Sequence, residues 1–402
     1  MSKYDRTTLR LSFENEEPMT IAPRDDGTTY AVSPYLGTSG IGKAHYERRP
    51  MSAAQASAMA FTCGDAAKTP TGYEHIPIEV LREDVSIHQL LDMLETCRPG
   101  GSKDEEHFIE TYLEPLGGLR DEYGNTMVEV LVPEGHPRIL WSVHTDTVHR
   151  HGGTQKVEVT RGVAWTSDGS CLGSDDTVGV WLALEMIKAK VPGVYVFHRD
   201  EESGGLGSSW LAKEAQEFIG SFDCAIALDR AGYADVITHQ ASSRCCSDEF
   251  AKSLAVQLGG AFKPCDTGVF TDTANYVDLI GECTNLSVGY FKQHGPMEHT
   301  NLSFASSLRD ALIKADWTQL VFKRQAGEED PDWNRGWSDY SWQRPERKER
   351  GASAYGSKED ELDQIEEFVN QFPWVVAQYL MEMGVSVEDL DLYEPGDLTV
   401  IK

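Results

Sequence analysis

The sequence predicts an α/β protein, a three-layer αβα sandwich around a mostly parallel central sheet. Two observations carry that expectation. Between residues 85 and 325, short β-branched apolar runs alternate with stretches whose apolar residues recur at helical spacing. The composition, 40% hydrophobic and 25% charged over 402 residues, supplies an ordinary globular core.

The elements follow in chain order. Residues 1–84 read as an N-terminal extension or small accessory region: Leu9, Leu11 and Phe13 alternate as an edge strand would, the turn-rich SPYLGTSGIG comes next, and an Ala/Met stretch covers 52–61. From residue 85, Leu90, Leu91 and Leu94 mark a helix, and a second helical pattern runs from His107 to Leu116. GNTMVEVLV and RILWSV read as strands bounded by Gly, Pro and Asn. Helix VGVWLALEMIKA (178–189) precedes strand VYVF (194–197), and helix GSSWLAKEAQEFI precedes strand DCAIALD (223–229). Residues 326–360 read as a polar linker: from Gly327 to Asp360 there is no Leu, Ile, Val, Phe or Met, although Trp333, Trp337 and Trp342 are present. Residues 361–402 form a C-terminal helix, with Leu362, Ile365, Phe368, Val369 and Phe372 on one face, and an acidic tail. That helix and tail suit either a protein partner or packing back on the main domain.

Charge excludes some functions. Thirty-six basic residues against 65 acidic ones leave a formal charge of −29, which repels phosphate backbones and anionic lipid, so no nucleic-acid or membrane role is expected. No run approaches the roughly 18 apolar residues of a membrane helix, and the N-terminus lacks a secretory apolar segment. The eight cysteines include no CxxC pair. The expectation is a cytoplasmic protein with reduced thiols.

The chemistry-bearing residues cluster at predicted strand ends. In WSVHTDTV, His144 and Asp146 share a strand face, so a carboxylate can hold the far nitrogen of an imidazole ligand. Alone, this is an ordinary strand-end histidine. In CLGSDDTVGV, adjacent Asp175 and Asp176 repel unless a cation or helix terminus neutralises them; Asp176 as a helix N-cap is the plainer account. In HRDEESGGLG, consecutive acids open a loop after a buried strand, where one Glu can ligate a metal and its neighbour act as base, or both can lie in solvent. Asp229 closes its strand, and His299 lies in GPMEHTN. The order His, Asp, Glu-Glu, Asp, His at successive strand ends is the informative feature, because open α/β sheets build sites at those ends.

In these motifs the sequence resembles the di-zinc exopeptidase clan that includes bacterial zinc aminopeptidases, peptidase T, glutamate carboxypeptidase and the acylamino-acid deacylases. The resemblance covers roughly residues 85–325, including the approach run LLDMLETCRPGGSKDEEHFIETYLEPLG. It implies that His144 ligates one zinc and Asp146 orients it; that Asp175 bridges both metals, followed by a cis Asp175–Asp176 peptide; that Glu201 is the general base and Glu202 a ligand; and that Asp229 joins His144 on one zinc and His299 joins Glu202 on the other. Two Zn²⁺ are implied, with Co²⁺ or Mn²⁺ able to substitute. Three ligand carboxylates and a bridging hydroxide then balance the two cations, and that hydroxide attacks the peptide bond.

The sequence departs from the lid-bearing branches in one respect. Only 69 residues separate Asp229 from His299, and they must also supply sheet, so no inserted lid domain is expected. Tyr290, Tyr276 and His294 become candidates for oxyanion or substrate contacts, Arg230 and Arg244 for a substrate carboxylate, and Phe270, Thr271 and Asp272 for the pocket rim. Three functions follow: an exopeptidase of aminopeptidase type acting on small peptides, a deacylase of N-acyl amino acids, or a non-enzymatic binding protein that retains the domain. Fold alone does not choose among them.

Overall fold

The computed structural model describes residues 20–23, 29–32, 76–167, 170–240 and 243–328. The strand expected around Leu9 to Phe13, the 52–61 stretch, most of the Trp-containing linker and the C-terminal helix lie outside these residues. A short antiparallel pairing joins Thr20–Pro23 to Thr29–Val32.

Eight strands build the central sheet: β1 (Leu119–Arg120), β2 (Thr126–Val130), β3 (Ile139–His144), β4 (Gly193–His198), β5 (Cys224–Arg230), β6 (Asp235–Ile237), β7 (Lys263–Cys265) and β8 (Glu282–Ser287). Their order is β7-β6-β8-β5-β3-β4-β2-β1. The middle four, β8, β5, β3 and β4, are mutually parallel. Antiparallel pairings flank them, β2 on β4 and β6 on β8. The parallel centre reads as continuous apolar sequence because helices cover both its faces.

Alternation along each central strand feeds two separate cores. Ile139, Trp141 and Val143 of β3, Tyr195 and Phe197 of β4, and Ile226 and Leu228 of β5 enter one core. Leu140, Val194, Val196 and Ala225 enter the other. The first core is closed by α1 (Val85–Leu94), α3 (Ser174–Lys188), α5 (Asp248–Leu258) and α6 (Leu302–Lys314), together with Phe108 and Ile109 of α2 (Lys103–Tyr112). Leu211 of α4 (Leu206–Glu214), Ile219, Tyr276 and Ile280 close the second. The result is the expected αβα sandwich. The short helix Ile78–Glu83 adds Leu81 to the first core, so the packed body begins a few residues before position 85.

Helix α3 is buried on nearly every side, because it lies between the sheet and the outer helices α1 and α6. Its first turn presses directly on β5: a Cβ added at Gly179 would stand 2.1 Å from the Leu228 carbonyl oxygen. That contact sets the α3 N-terminus beside Asp229.

The described residues between Asp229 and His299 complete the sheet through β6, β7 and β8 and supply α5; no inserted lid domain occurs among them. Tyr290–Phe291, His299–Asn301, Val163–Trp165 and Glu158–Thr160 form a small antiparallel sheet. No described helix is long and apolar enough to cross a membrane. Cys171, Cys224, Cys245, Cys246, Cys265 and Cys283 are free thiols. Cys171, beside the Asp175 loop, is buried with its thiol pKa pushed up by desolvation, and packs as a small hydrophobe.

Candidate metal and active site

The carboxyl ends of β3, β4 and β5 meet at one edge, where His144 is in register with His198. His144 Nδ1 lies 3.1 Å from the Asp146 carbonyl and 3.4 Å from Asp146 Oδ1. Both neighbours are acceptors, so the ring proton belongs on Nδ1 and the lone pair on Nε2. That lone pair faces carboxylate oxygens: Asp175 Oδ1 at 3.0 Å and Asp229 Oδ1 at 3.7 Å. Electron-rich atoms converge in this way only around a proton or a metal ion.

The same arrangement recurs on the far side of Asp175. His294 Nε2 lies 3.1 Å from Asp175 Oδ2 and 3.1 Å from Glu202 Oε2. Glu202 Oε1 is buried and has no hydrogen-bond partner. Two ligands about 2.1 Å from zinc at the tetrahedral angle lie about 3.4 Å apart, the range spanned here. The donors therefore fit metal, in two sets that share Asp175: His144, Asp175 and Asp229, and His294, Asp175 and Glu202. His144, Asp175 and Glu202 also offer atoms within 4.8 Å of one another, as do His144, Asp176 and Asp229. Asp176 is otherwise engaged, because it accepts the His144 backbone N–H (3.2 Å) and the Gly179 N–H (3.0 Å). It caps α3, whose helical backbone begins after it, and the Asp175–Asp176 peptide is cis.

Asp146 ties two parts of the site together. Besides facing His144, it accepts the backbone N–H groups of Glu201 (3.1 Å) and Glu202 (3.2 Å), so one buried carboxylate orients the imidazole and the acidic turn. Asp229 is held on all sides. Tyr290 Oη donates to its Oδ1 at 3.0 Å and Thr271 Oγ1 to its Oδ2 at 2.7 Å, while the Asn285 side chain brackets its backbone at 2.9 and 2.8 Å. Behind these, Tyr276 Oη lies 2.7 Å from His198 Nε2, and Asp272 Oδ2 lies 3.2 Å from His198 Nδ1. Both Asp272 oxygens lack a well-aligned hydrogen bond.

The electrostatics match a site short of positive charge. Burial, with Asp229, Asp272 and Glu202 nearby, pushes Glu201 well above the carboxylate range. Burial and Asp175 push Glu202 up to about 7. Burial pushes Asp272 up to about 8. Burial works against charge on His294, yet its bonds to Asp175 and Glu202 push it up to about 12.

The structure brings together His144, Asp146, Asp175, Glu201, Glu202 and Asp229, as the motif order implied. The last histidine of that order, His299, makes no described ion-pair contact with these acids; His294 does. His299 Nδ1 is bonded to the Met297 carbonyl (2.9 Å), and its ring stacks on Phe291 at 5.4 Å. His299 is fixed by the small sheet, opposite Trp165, whereas the loop before it carries His294 into the gap between Asp175 and Glu202. His294, expected at the substrate, is thus a ligand candidate. Arg230, expected at a substrate carboxylate, is engaged by Asp235 (3.5 Å) and the Thr267 carbonyl (3.2 Å). Arg244 pairs with Asp248 at 2.9 Å. Tyr276 is fully buried behind His198, whereas Tyr290 reaches the site through Asp229. Sequence reading missed Glu298 and Asn285. The only signal for Glu298 was its place between two histidines in HGPMEH.

No protein-family model and no curated protein matches the chain. Among solved structures it is similar to the aminopeptidase PepT of Bacillus cereus, with 14% identity over 58% of this chain and 98% of that one and a TM-score of 0.49. The TET1 peptidase of Pyrococcus horikoshii, which can assemble into a tetrahedron or a large octahedral shell, is 17% identical over 58% of this chain and all of its own, with a TM-score of 0.45. An aminopeptidase of Desulfurococcus kamchatkensis is 15% identical over 62% of this chain and 97% of that one, with a TM-score of 0.44.

Proposed function

We propose that the chain is a metal-dependent hydrolase of peptide bonds, an exopeptidase of aminopeptidase type that works with two metal ions, zinc in the first instance. One observation carries the reading: Asp175 lies between the Nε2 atoms of two histidines, 3.0 and 3.1 Å away, each beside a further carboxylate. His144, Asp175 and Asp229 would hold one ion, and His294, Asp175 and Glu202 the other. Imidazole and carboxylate donors suit zinc, and Co²⁺ or Mn²⁺ fits the same set.

The ions would supply polarisation of the scissile carbonyl and acidification of water. The remaining work falls to the chain. Glu201 stands beside the ligand Glu202 and takes no ligand role, so its carboxylate removes the proton of the attacking water and delivers it to the leaving amine. Asp146 keeps that turn in place through the Glu201 and Glu202 N–H groups. Tyr290 and Thr271 orient Asp229.

Charge supports a substrate with a free amine. Among the described residues, the hydrogen-bond and ion-pair partners of Asp175, Glu202 and Asp229 are histidines, hydroxyls, an asparagine amide and carboxylates, with no lysine or arginine among them. An ammonium group is welcome in such a setting; the carboxylate of an N-acyl amino acid meets no lysine or arginine among those partners. The test is metal analysis of zinc-supplied protein, joined to hydrolysis assays on aminoacyl amides and N-acyl amino acids. Two ions per chain and cleavage of the free-amine substrates are expected. Absence of bound metal overturns the proposal, and faster cleavage of acylated substrates moves it to the deacylase reading.

A further inference from the structure

We propose that Glu298 is a positioning residue that clamps the loop carrying His294 onto the segment carrying Asp175, and so sets the affinity of the metal site on the His294 side. The inference rests on the two-metal reading above.

Glu298 is 1% exposed, yet it ligates nothing in either donor set. Its Oε2 accepts the Gly173 N–H at 2.9 Å and its Oε1 accepts the Asp175 N–H at 3.1 Å. The two segments are far apart in sequence, and this bidentate contact joins them four residues from His294. A second link, between Ser174 Oγ and Thr300 Oγ1 at 2.5 Å, runs alongside. The loop itself is unusual backbone: Lys292 and His294 both adopt left-handed φ, 56° and 63°, which non-glycine residues hold only when their surroundings compel it. Glu298 supplies that compulsion from the loop's far end.

The two metal sites do not depend on this clamp equally. On the His144 side, Asp176 already binds the His144 N–H, so β3 and the Asp175–Asp176 segment stay registered without Glu298. On the other side, His294 reaches Asp175 only from the clamped loop. Loosening Glu298 therefore separates His294 from Asp175 while His144 keeps its place. Partners that orient metal ligands typically contribute 10–100-fold to metal affinity.

The experiment is stepwise zinc titration by calorimetry of wild type, Glu298→Gln, Glu298→Asp and His294→Ala, with melting of each protein in chelator. The glutamine keeps the size and one acceptor but turns an NH₂ toward the other backbone N–H. The expected result is that Glu298→Gln weakens, by about 10–100-fold, the binding step that His294→Ala abolishes. The other step and the chelated melting temperature should stay near wild type. Glu298→Asp, which keeps the charge on a shorter arm, should lie between and serves if the glutamine variant does not fold. Unchanged affinity at both steps in both variants overturns the clamp and leaves the two-metal reading intact. Equal weakening of both steps together with a lower chelated melting temperature makes Glu298 merely structural, and also overturns it. A wild type that binds no zinc overturns the two-metal reading, and the clamp with it.

Discussion

Two buried carboxylate environments lie at opposite ends of β8 and its neighbours, and they are built on opposite principles. At the start of β8, Glu282 is 1% exposed and accepts four hydrogen bonds: from Ser247 N–H (2.6 Å), Ser247 Oγ (2.8 Å), Lys323 N–H (2.7 Å) and Arg324 N–H (2.9 Å). It ties the cap of α5 to the irregular segment after α6, and it asks for nothing more. At the carboxyl ends of β3, β4 and β5, Glu202 Oε1 is buried without a hydrogen-bond partner. Burial without donors is expensive for a carboxylate. The first environment is complete as protein; the second holds the donors proposed above for a cation. Glu298 sits inside the acidic cluster but is satisfied in the manner of Glu282, which marks it as support rather than ligand.

Several substitutions break or sharpen that contrast. The largest effect is expected for Glu201→Gln, whose turnover should fall by about 10²–10⁴-fold with metal content unchanged, measured by kcat/KM on aminoacyl amides beside elemental analysis. Full turnover in that variant would sink the role given to Glu201. Glu282→Ala leaves four donors facing each other and should lose about 3–5 kcal/mol in urea unfolding while retaining both metals. If it loses metal instead, the two environments are coupled and the contrast fails. His294→Ala should bind one ion fewer, whereas His299→Ala, which removes only a stacked ring and one bond to a carbonyl, should bind two. The reverse pattern, read by metal analysis, would restore His299 as the ligand. The smallest effect is expected for Glu202→Gln: melted in chelator, it should gain about 1–2 kcal/mol, since a repelled buried charge is gone, while binding one metal fewer. A loss of stability there would show that Glu202 is satisfied after all.

Much of this was legible in the sequence because it is set by near neighbours. The short continuous apolar runs RILWSV and VYVF locate β3 and β4, and they place His144 and the HRDEE turn at their ends. Asp176 as an N-cap could be read from the three residues that follow it, and Gly179 N–H does bond to it. His294 was not chosen over His299, because both stand in one loop-rich run, and five residues of spacing say nothing about which ring turns inward. Pairing of His299–Asn301 with Val163–Trp165 decides that. Glu298 and Asn285, and the bond that Thr271 makes to Asp229, were illegible for the same reason. Their partners lie 123, 56 and 42 residues away, and no local pattern encodes such a contact.

The sequence by itself determined the alternation of strands and helices, and with it the sheet edge on which the acids gather, because hydrophobic period and chain direction are local properties. Only the tertiary structure decided which histidine faces Asp175 and which acids are held by backbone N–H groups. It also decided which carboxylates are left for a cation, because each depends on segments that meet only when the two cores close around the sheet.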